Sequence, residues 1–240
     1  VRFGAHRAAL LFYYCLFCPA PRGQNPTTAP IGSRSAALFR PTRPLRAPTP
    51  STNTLMPHTL IVSGHTDLHN SAANLRILHC LERDLANVEV LRLDALYTHK
   101  PIDVAVEQDR LRRADVVVLQ FPLFWFNIPS LLQRWMEEVW THGFSHGTGG
   151  DALKGKKLLL SLTTGAGAPF FTPAGAEAPD FTPFMQGLIH AAGFTGMEFV
   201  GIESTCGVSY SLRTDAEQLA AIEAKADEHA QRLIARISTL

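Results

Sequence analysis

The sequence predicts an α/β domain built on a five-stranded parallel sheet with helices on both faces. Three observations carry that reading. Strand-like and helix-like stretches alternate from Met56 onward, the order that parallel crossovers require. The run Val116-Val117-Val118-Leu119 is apolar at every position, as in a central strand buried on both faces. With 240 residues, 46% of them hydrophobic, the chain is long enough to bury a substantial core.

The first strand is Thr59 to Ser63. A helix follows from Ser71 to Leu85, with Leu75, Leu78, Leu81 and Leu85 on one stripe. Val88 to Leu93 is a second strand, and Asp103 to Arg113 a short polar helix. The third strand runs from Val116 to Phe121 and stops at Pro122, because proline donates no ladder hydrogen bond. Pro129 suits the first turn of a helix reaching Trp140, with Leu131, Leu132, Trp135, Met136 and Val139 on one face. Lys157 to Thr163 is the fourth strand. Thr182-Pro183 reads as a helix start and Gly193 as its end. Phe199 to Glu203 is the fifth strand, and Thr214-x-x-Glu217 opens the last helix as a capping box. Leu219, Ile222, Ala226, Leu233 and Ile237 face inward from it.

Residues 1–57 do not read as a folded domain. Seven arginines and no acidic residue precede Asp67, and proline, arginine, serine, threonine and alanine make up most of the stretch between Pro19 and Pro50. The favoured reading is that the domain starts at Met56 and that what precedes it is upstream sequence; the other is a targeting segment with a disordered linker. The four cysteines give no disulfide framework. Cys15-x-x-Cys18 lacks a second pair or a histidine couple, so no metal is expected. A net charge of +1 argues against a nucleic-acid binder, and no apolar run reaches the ~18 residues of a membrane span.

Ligands of open α/β sheets bind outside the carboxyl ends of the strands, where three loops are expected to meet. The first runs from Ser63 to Asn74 and ends in Ser71, Ala72, Ala73 and Asn74 at a helix amino terminus, where free N–H groups and the helix dipole favour an anion. His65 adds a hydrogen bond or a charge. The second loop carries Pro122, Leu123, Phe124, Trp125 and Phe126, an aromatic wall or part of the core. The third is Thr163-Thr164-Gly165-Ala166-Gly167, whose small residues let backbone donors approach a ligand. The Thr164 and Gly165 amides are the expected donors. Neither a dinucleotide fingerprint nor a phosphate loop with Lys and Ser/Thr is present. An anion seat, an aromatic wall and a donor loop suit a phosphorylated planar ring such as flavin mononucleotide.

An ordered series of short motifs runs through these loops. It comprises His65…Ser71-x-x-Asn74, Glu107-Gln108…Ala114-Asp115, Gln120-x-Pro122-x-x-Trp125-x-x-x-Pro129 and Leu131-Leu132-x-x-Trp135. It continues with Val139-x-x-His142-Gly143, Gly149-Gly150, Leu153-x-Gly155-Lys156 and Thr163-Thr164-Gly165. In this the chain resembles the flavodoxin-like NAD(P)H:quinone oxidoreductases, including the ancillary flavoproteins of glutathione-gated potassium efflux systems. The resemblance covers about Thr59 to Cys206. It implies strand order 2-1-3-4-5 and a flavin-binding domain over residues 58–240. It implies FMN, with FAD open, held by His65, Ser71 to Asn74, Pro122 to Phe126 and Thr163 to Gly167.

The resemblance also implies NAD(P)H as co-substrate, a quinone-like acceptor, a cytoplasmic homodimer with sites at the subunit boundary, and two-electron ping-pong transfer. Phe126 is expected to wall the acceptor pocket with Phe170 and Phe171. For His146 the favoured reading is a surface role; the other is that it reaches an acceptor oxygen across the dimer boundary. The chain departs from the family in carrying Phe170 and Phe171 where some members have tyrosine and histidine, Ser145-His146-Gly147 where relatives have a tyrosine nearby, and Ala166 for a glycine.

The rival reading is a regulatory subunit docked to a potassium efflux transporter at the inner membrane. A one-electron carrier would be strongly acidic, and a signalling receiver would need acids clustered at strand ends.

Overall fold

The computed structural model describes residues 57–240. The expectations for residues 1–56, including the Cys15-x-x-Cys18 pair, lie outside the described residues. Strands β1 (Thr59–Ser63), β2 (Val88–Arg92), β3 (Val116–Pro122), β4 (Lys157–Thr163) and β5 (Glu198–Thr205) pair in parallel in the order β2-β1-β3-β4-β5. Helices α1 (Ala72–Asp84), α2 (Leu93–Tyr97), α3 (Val104–Arg113), α4 (Ser130–Val139), α5 (Ala168–Phe171), α6 (Thr182–Phe194) and α7 (Ala216–Ile237) connect or close the strands. This is the flavodoxin-like fold.

Alternation along the strands feeds two cores. Val117, Leu119 and Phe121 of β3 join Leu158, Leu160 and Leu162 of β4 on one face, under Leu111, Leu132, Trp135, Val139, Met185 and Leu188. Ile61, Val116, Val118 and Leu159 face the other way, under α1 and α7, which contribute Ile77, Leu78, Leu81, Ile222, Ala226 and Leu233. The stripe on α4 is Leu132, Trp135, Met136 and Val139, the spacing of a single buried helix face. Arg76 and Asp227 tie α1 to α7 through a two-pronged ion pair at 2.6 and 2.8 Å.

Several boundaries differ from the sequence expectation. Pro122 is the last residue of β3 and pairs with Thr163. The Gln120 carbonyl accepts from Gly64 N–H on the β1 side, and Leu123 N–H donates to Thr163 on the β4 side. By alternation the Pro122 nitrogen faces the β1 side, where β1 has already ended at Ser63, so no ladder donor is missed. Leu93 leaves β2 to begin α2, and the short α5 lies where only a loop was expected. Gly193 does not end α6; the helix continues to Phe194 and the left-handed residue is Gly196, at φ +73°. Thr182 is the first helical residue, and the Asp180 carboxylate accepts its N–H. The cap of α7 is Asp215, which accepts from Gln218 N–H, because Thr214 closes a preceding 3-10 turn, Tyr210–Thr214.

The fifth strand is longer than predicted and carries a bulge, since Leu158 pairs with Phe199 but Leu159 with Gly201. Gly201 sits at φ +124°, a backbone conformation that side chains strain against and glycine adopts freely. The bulge carries β5 on to Thr205, beside the end of β4.

Candidate cofactor cleft at the carboxyl edge of the sheet

The three loops meet. A cleft of about 480 Å³ opens at the carboxyl ends of β1, β3 and β4, within the range of roughly 300–1,000 Å³ typical of small-molecule sites. His65, Ser71, Ala72, Ala73, Asn74, Pro122, Leu123, Phe124, Thr163, Thr164 and Gly165 all line it.

Its first wall is the start of α1. Ser71 caps the helix, and its hydroxyl accepts the Asn74 N–H at 3.3 Å. Among the described residues the Ala72 and Ala73 N–H groups have no partner. No acid occupies the first turn of α1, whereas α3 and α7 carry Glu107 and Glu217 there. A helix amino terminus with free donors and no internal counter-charge is a seat for an anion.

His65 stands beside it, edge-on to Phe124 at 5.8 Å. Burial lowers its pKa, against the opposing pull of Asp94 and Asp67, so the ring is neutral near pH 7. Its Nδ1 accepts the Asp67 N–H at 2.9 Å, which leaves the proton on Nε2. His65 is thus a neutral donor and not a fixed charge.

The second wall is an aromatic hairpin. Phe124 and Asn127 exchange backbone hydrogen bonds at 3.1 and 3.0 Å, closing a two-residue turn over Trp125 and Phe126. Both have positive φ, +50° and +62°, the signs of a type I′ turn that usually holds Asn-Gly. Left-handed backbone costs roughly 1–2 kcal/mol per non-glycine residue, and such strain concentrates at functional sites. The turn leaves Trp125 93% exposed. It stacks Phe126 against Phe184 and Phe170 at 5.6 and 6.1 Å. Trp125 and Phe126 are therefore on the rim, not among the residues that line the cleft.

The third loop is narrower in function than the sequence indicates. Thr164 N–H donates to the Thr205 carbonyl, and Val208 N–H to the Thr164 carbonyl. The Thr164 amide is thus consumed in joining the β4 loop to the segment after β5. Gly165 N–H has no partner among the described residues and is the donor this loop offers. Ala166 and Gly167 lie past the cleft; the Ala166 carbonyl accepts from Gly207 N–H. His146 is not part of the lining either. Its Nδ1 bonds Ser145 Oγ at 2.9 Å, and its ring packs on Phe194 at 5.2 Å and His142 at 5.7 Å.

Sequence reasoning missed the segment that closes the cleft after β5. Val208, Ser209, Tyr210 and Arg213 line it. Arg213 lies over the Tyr210 ring at 3.6 Å and donates to the Asn70 carbonyl at 2.8 Å, one residue before the Ser71 cap. A basic residue just ahead of the last helix was the available signal.

The model of the flavodoxin-like fold family matches residues 57–231. The chain belongs to this family. Among curated relatives, this flavodoxin-like protein is 39% identical over 176 residues to the glutathione-regulated potassium-efflux system ancillary protein KefF of Salmonella typhimurium, covering 73% of this chain and 95% of the relative. Among solved structures it resembles the general stress protein 14 of Treponema denticola in complex with FMN, at TM-score 0.65 and 27% identity, covering 75% of this chain and 99% of that one. It also resembles a P. pentosaceus protein described as an NADPH-quinone reductase, at TM-score 0.56 and 27% identity, covering 72% and 97%.

Proposed function

We propose that the protein is a flavin-dependent oxidoreductase that holds FMN in this cleft and passes two electrons from NAD(P)H to a quinone-like acceptor. The observation that carries the reading is the convergence, in one cleft, of free helix donors, a free Gly165 amide and an aromatic rim. That donor set fits the group: a phosphate needs N–H and O–H donors, and a planar ring needs apolar walls. Asp67 also lines the cleft, but its carboxylate accepts from Asn70 Nδ2 at 2.7 Å. FMN is preferred to FAD because a structurally similar protein was solved in complex with FMN.

A bound flavin supplies the hydride relay between the two substrates. The chain's task is to hold and shield. Ser71, Ala72 and Ala73 take the phosphate, Arg213 adds positive charge nearby, and His65 donates from Nε2. Gly165 N–H would serve the polar edge of a bound ring, where a donor favours added negative charge. Phe124, with Phe126 and Phe170 at the rim, excludes water and stacks whichever substrate is present. Reacting groups must be held at ~3–3.5 Å. A single stacking position shared in turn by nicotinamide and acceptor would give ping-pong kinetics. His146 does not line the cleft of its own subunit, so contact with an acceptor oxygen would require a homodimer.

Steady-state rates at several fixed acceptor concentrations test the sequence of events: parallel double-reciprocal lines are expected, and converging lines reject it. A Gly165→Val substitution is expected to lower the flavin retained on purification, and unchanged flavin content rejects the Gly165 role.

The 39% identity to an efflux-system ancillary protein favours a second role, regulation of a potassium efflux transporter by a cytoplasmic subunit docked at the inner membrane. Among the described residues no helix is long and apolar enough to cross a membrane. Co-purification with such a transporter from detergent-solubilised membranes is the test, and its absence rejects docking.

A further inference from the structure

Beneath the anion seat lies a buried chain of side-chain hydrogen bonds. Gln120 of β3 donates from Nε2 to Asn74 Oδ1 at 2.5 Å, and Thr163 of β4 donates from Oγ1 to the same oxygen at 3.2 Å. Asn74 in turn donates from Nδ2 to Ser71 Oγ at 2.9 Å. All three supporting residues are at most 3% exposed. Gln120 keeps its own Oε1 without a partner among the described residues. A buried carbonyl left unpaired costs stability, and the bond that Gln120 does make is through its donor end.

The direction of the bonds has a consequence for Ser71. A serine hydroxyl has two acceptor positions and one proton. Asn74 fills both acceptor positions, one from its backbone N–H and one from Nδ2. The Ser71 proton is then the only part of the hydroxyl left to face the cleft. With the Ala72 and Ala73 N–H groups alongside, the seat consists of donors alone.

We propose that Gln120, Thr163 and Asn74 are positioning residues that fix Ser71 as an obligate donor, so that the cleft selects a fully ionised terminal phosphate over a hydroxyl. The inference rests on the flavin reading above. Both strands at the switch point of the sheet contribute, because β1 and β3, and β3 and β4, bring Gln120 and Thr163 under the start of α1. A phosphate dianion accepts from every donor; the 5′-hydroxyl of riboflavin brings its own proton and finds no acceptor.

The test uses the full chain titrated with FMN and with riboflavin, followed by quenching of flavin fluorescence. The readout is the ratio of the two dissociation constants, which a merely structural role would not move. Asn74→Asp is nearly isosteric and reverses the polarity: the carboxylate draws the Ser71 proton inward. The preference for FMN is expected to fall about tenfold to a hundredfold, the worth of a hydrogen bond to a charged group, with riboflavin binding little changed. Gln120→Met and Thr163→Val add no charge and are expected to lower the ratio in the same sense by freeing the Asn74 amide. They also serve if Asn74→Asp does not fold. A ratio unchanged in these variants, in a protein that binds FMN well, overturns the proposal and leaves the flavin reading intact. A wild-type chain that binds neither ligand overturns both.

Discussion

At the anion end of the cleft, Ser71 rests on Asn74, Gln120 and Thr163, side chains sealed inside the sheet and held by directed bonds. At the aromatic end, Trp125 and Phe126 stand on a two-residue turn with unfavourable φ and exposed rings. One end is prepared by packing, with little freedom left. The other carries strain and apolar surface in view of solvent, the state expected of a surface that meets a changing substrate or another subunit. On the proposed reading, recognition of the fixed ligand is built into the sheet, whereas recognition of the exchanging one is carried on a loop.

The largest effect should come from damage below the anion end. Leu159→Ala, in β4 with no exposure and on the face that packs under α1, is expected to cost about 2–5 kcal/mol in urea unfolding. It should leave the FMN-to-riboflavin preference unchanged once the protein is folded; a changed preference would break the separation between core packing and the directed polar chain.

A second effect concerns His229, which bridges Ser161 Oγ at 2.8 Å and Thr205 Oγ1 at 2.9 Å below the third loop. Burial, with the Arg232 charge acting in the same sense, pushes its pKa down from 6.5 to about 3. The unfolded chain therefore takes up a proton before the folded one. The stability this ring contributes is complete above pH 6.5 and is lost as pH falls through the window toward 3, at about 1.4 kcal/mol per pH unit. Urea midpoints between pH 6.5 and 5 should decline for the wild type and flatten for His229→Gln. Equal slopes for the two proteins would deny the buried ring this role.

At the aromatic end the sign reverses. Trp125→Gly relieves one left-handed residue and is expected to raise stability by about 1 kcal/mol, while acceptor turnover falls. A loss of stability would show that the ring is packed and not waiting for a partner. The smallest effect belongs to Arg213→Ala, which removes a partly exposed charge near the seat. FMN binding should weaken by about a few-fold at low salt and little at high salt, and a salt-independent loss would point to a packing role for its stack on Tyr210.

The fold was legible because buried parallel strands leave continuous apolar runs, as at Val116 to Leu119, and because Ser71 and Pro129 mark helix starts by side-chain chemistry. Gly193 misled because a glycine inside a helix and a glycine after one look alike in sequence; the φ of Gly196 decides it. Of the site, Ser71 to Asn74 and Gly165 were legible from residue type at a strand end. The consumption of the Thr164 amide was not, because its partner is the Thr205 carbonyl on another strand. Nor was the direction of the Gln120–Asn74–Ser71 chain, which depends on pairings 46 residues apart. Trp125 and Phe126 were read as a wall by type, but their left-handed turn turns them to the rim.

The most direct measurement is the visible absorption spectrum of the purified full chain. A flavin band near the cleft's expected occupancy, bleached by NADPH without air and restored by an added quinone, is the predicted result. A colourless protein that takes up no added FMN would contradict the central claim that this cleft is a flavin site.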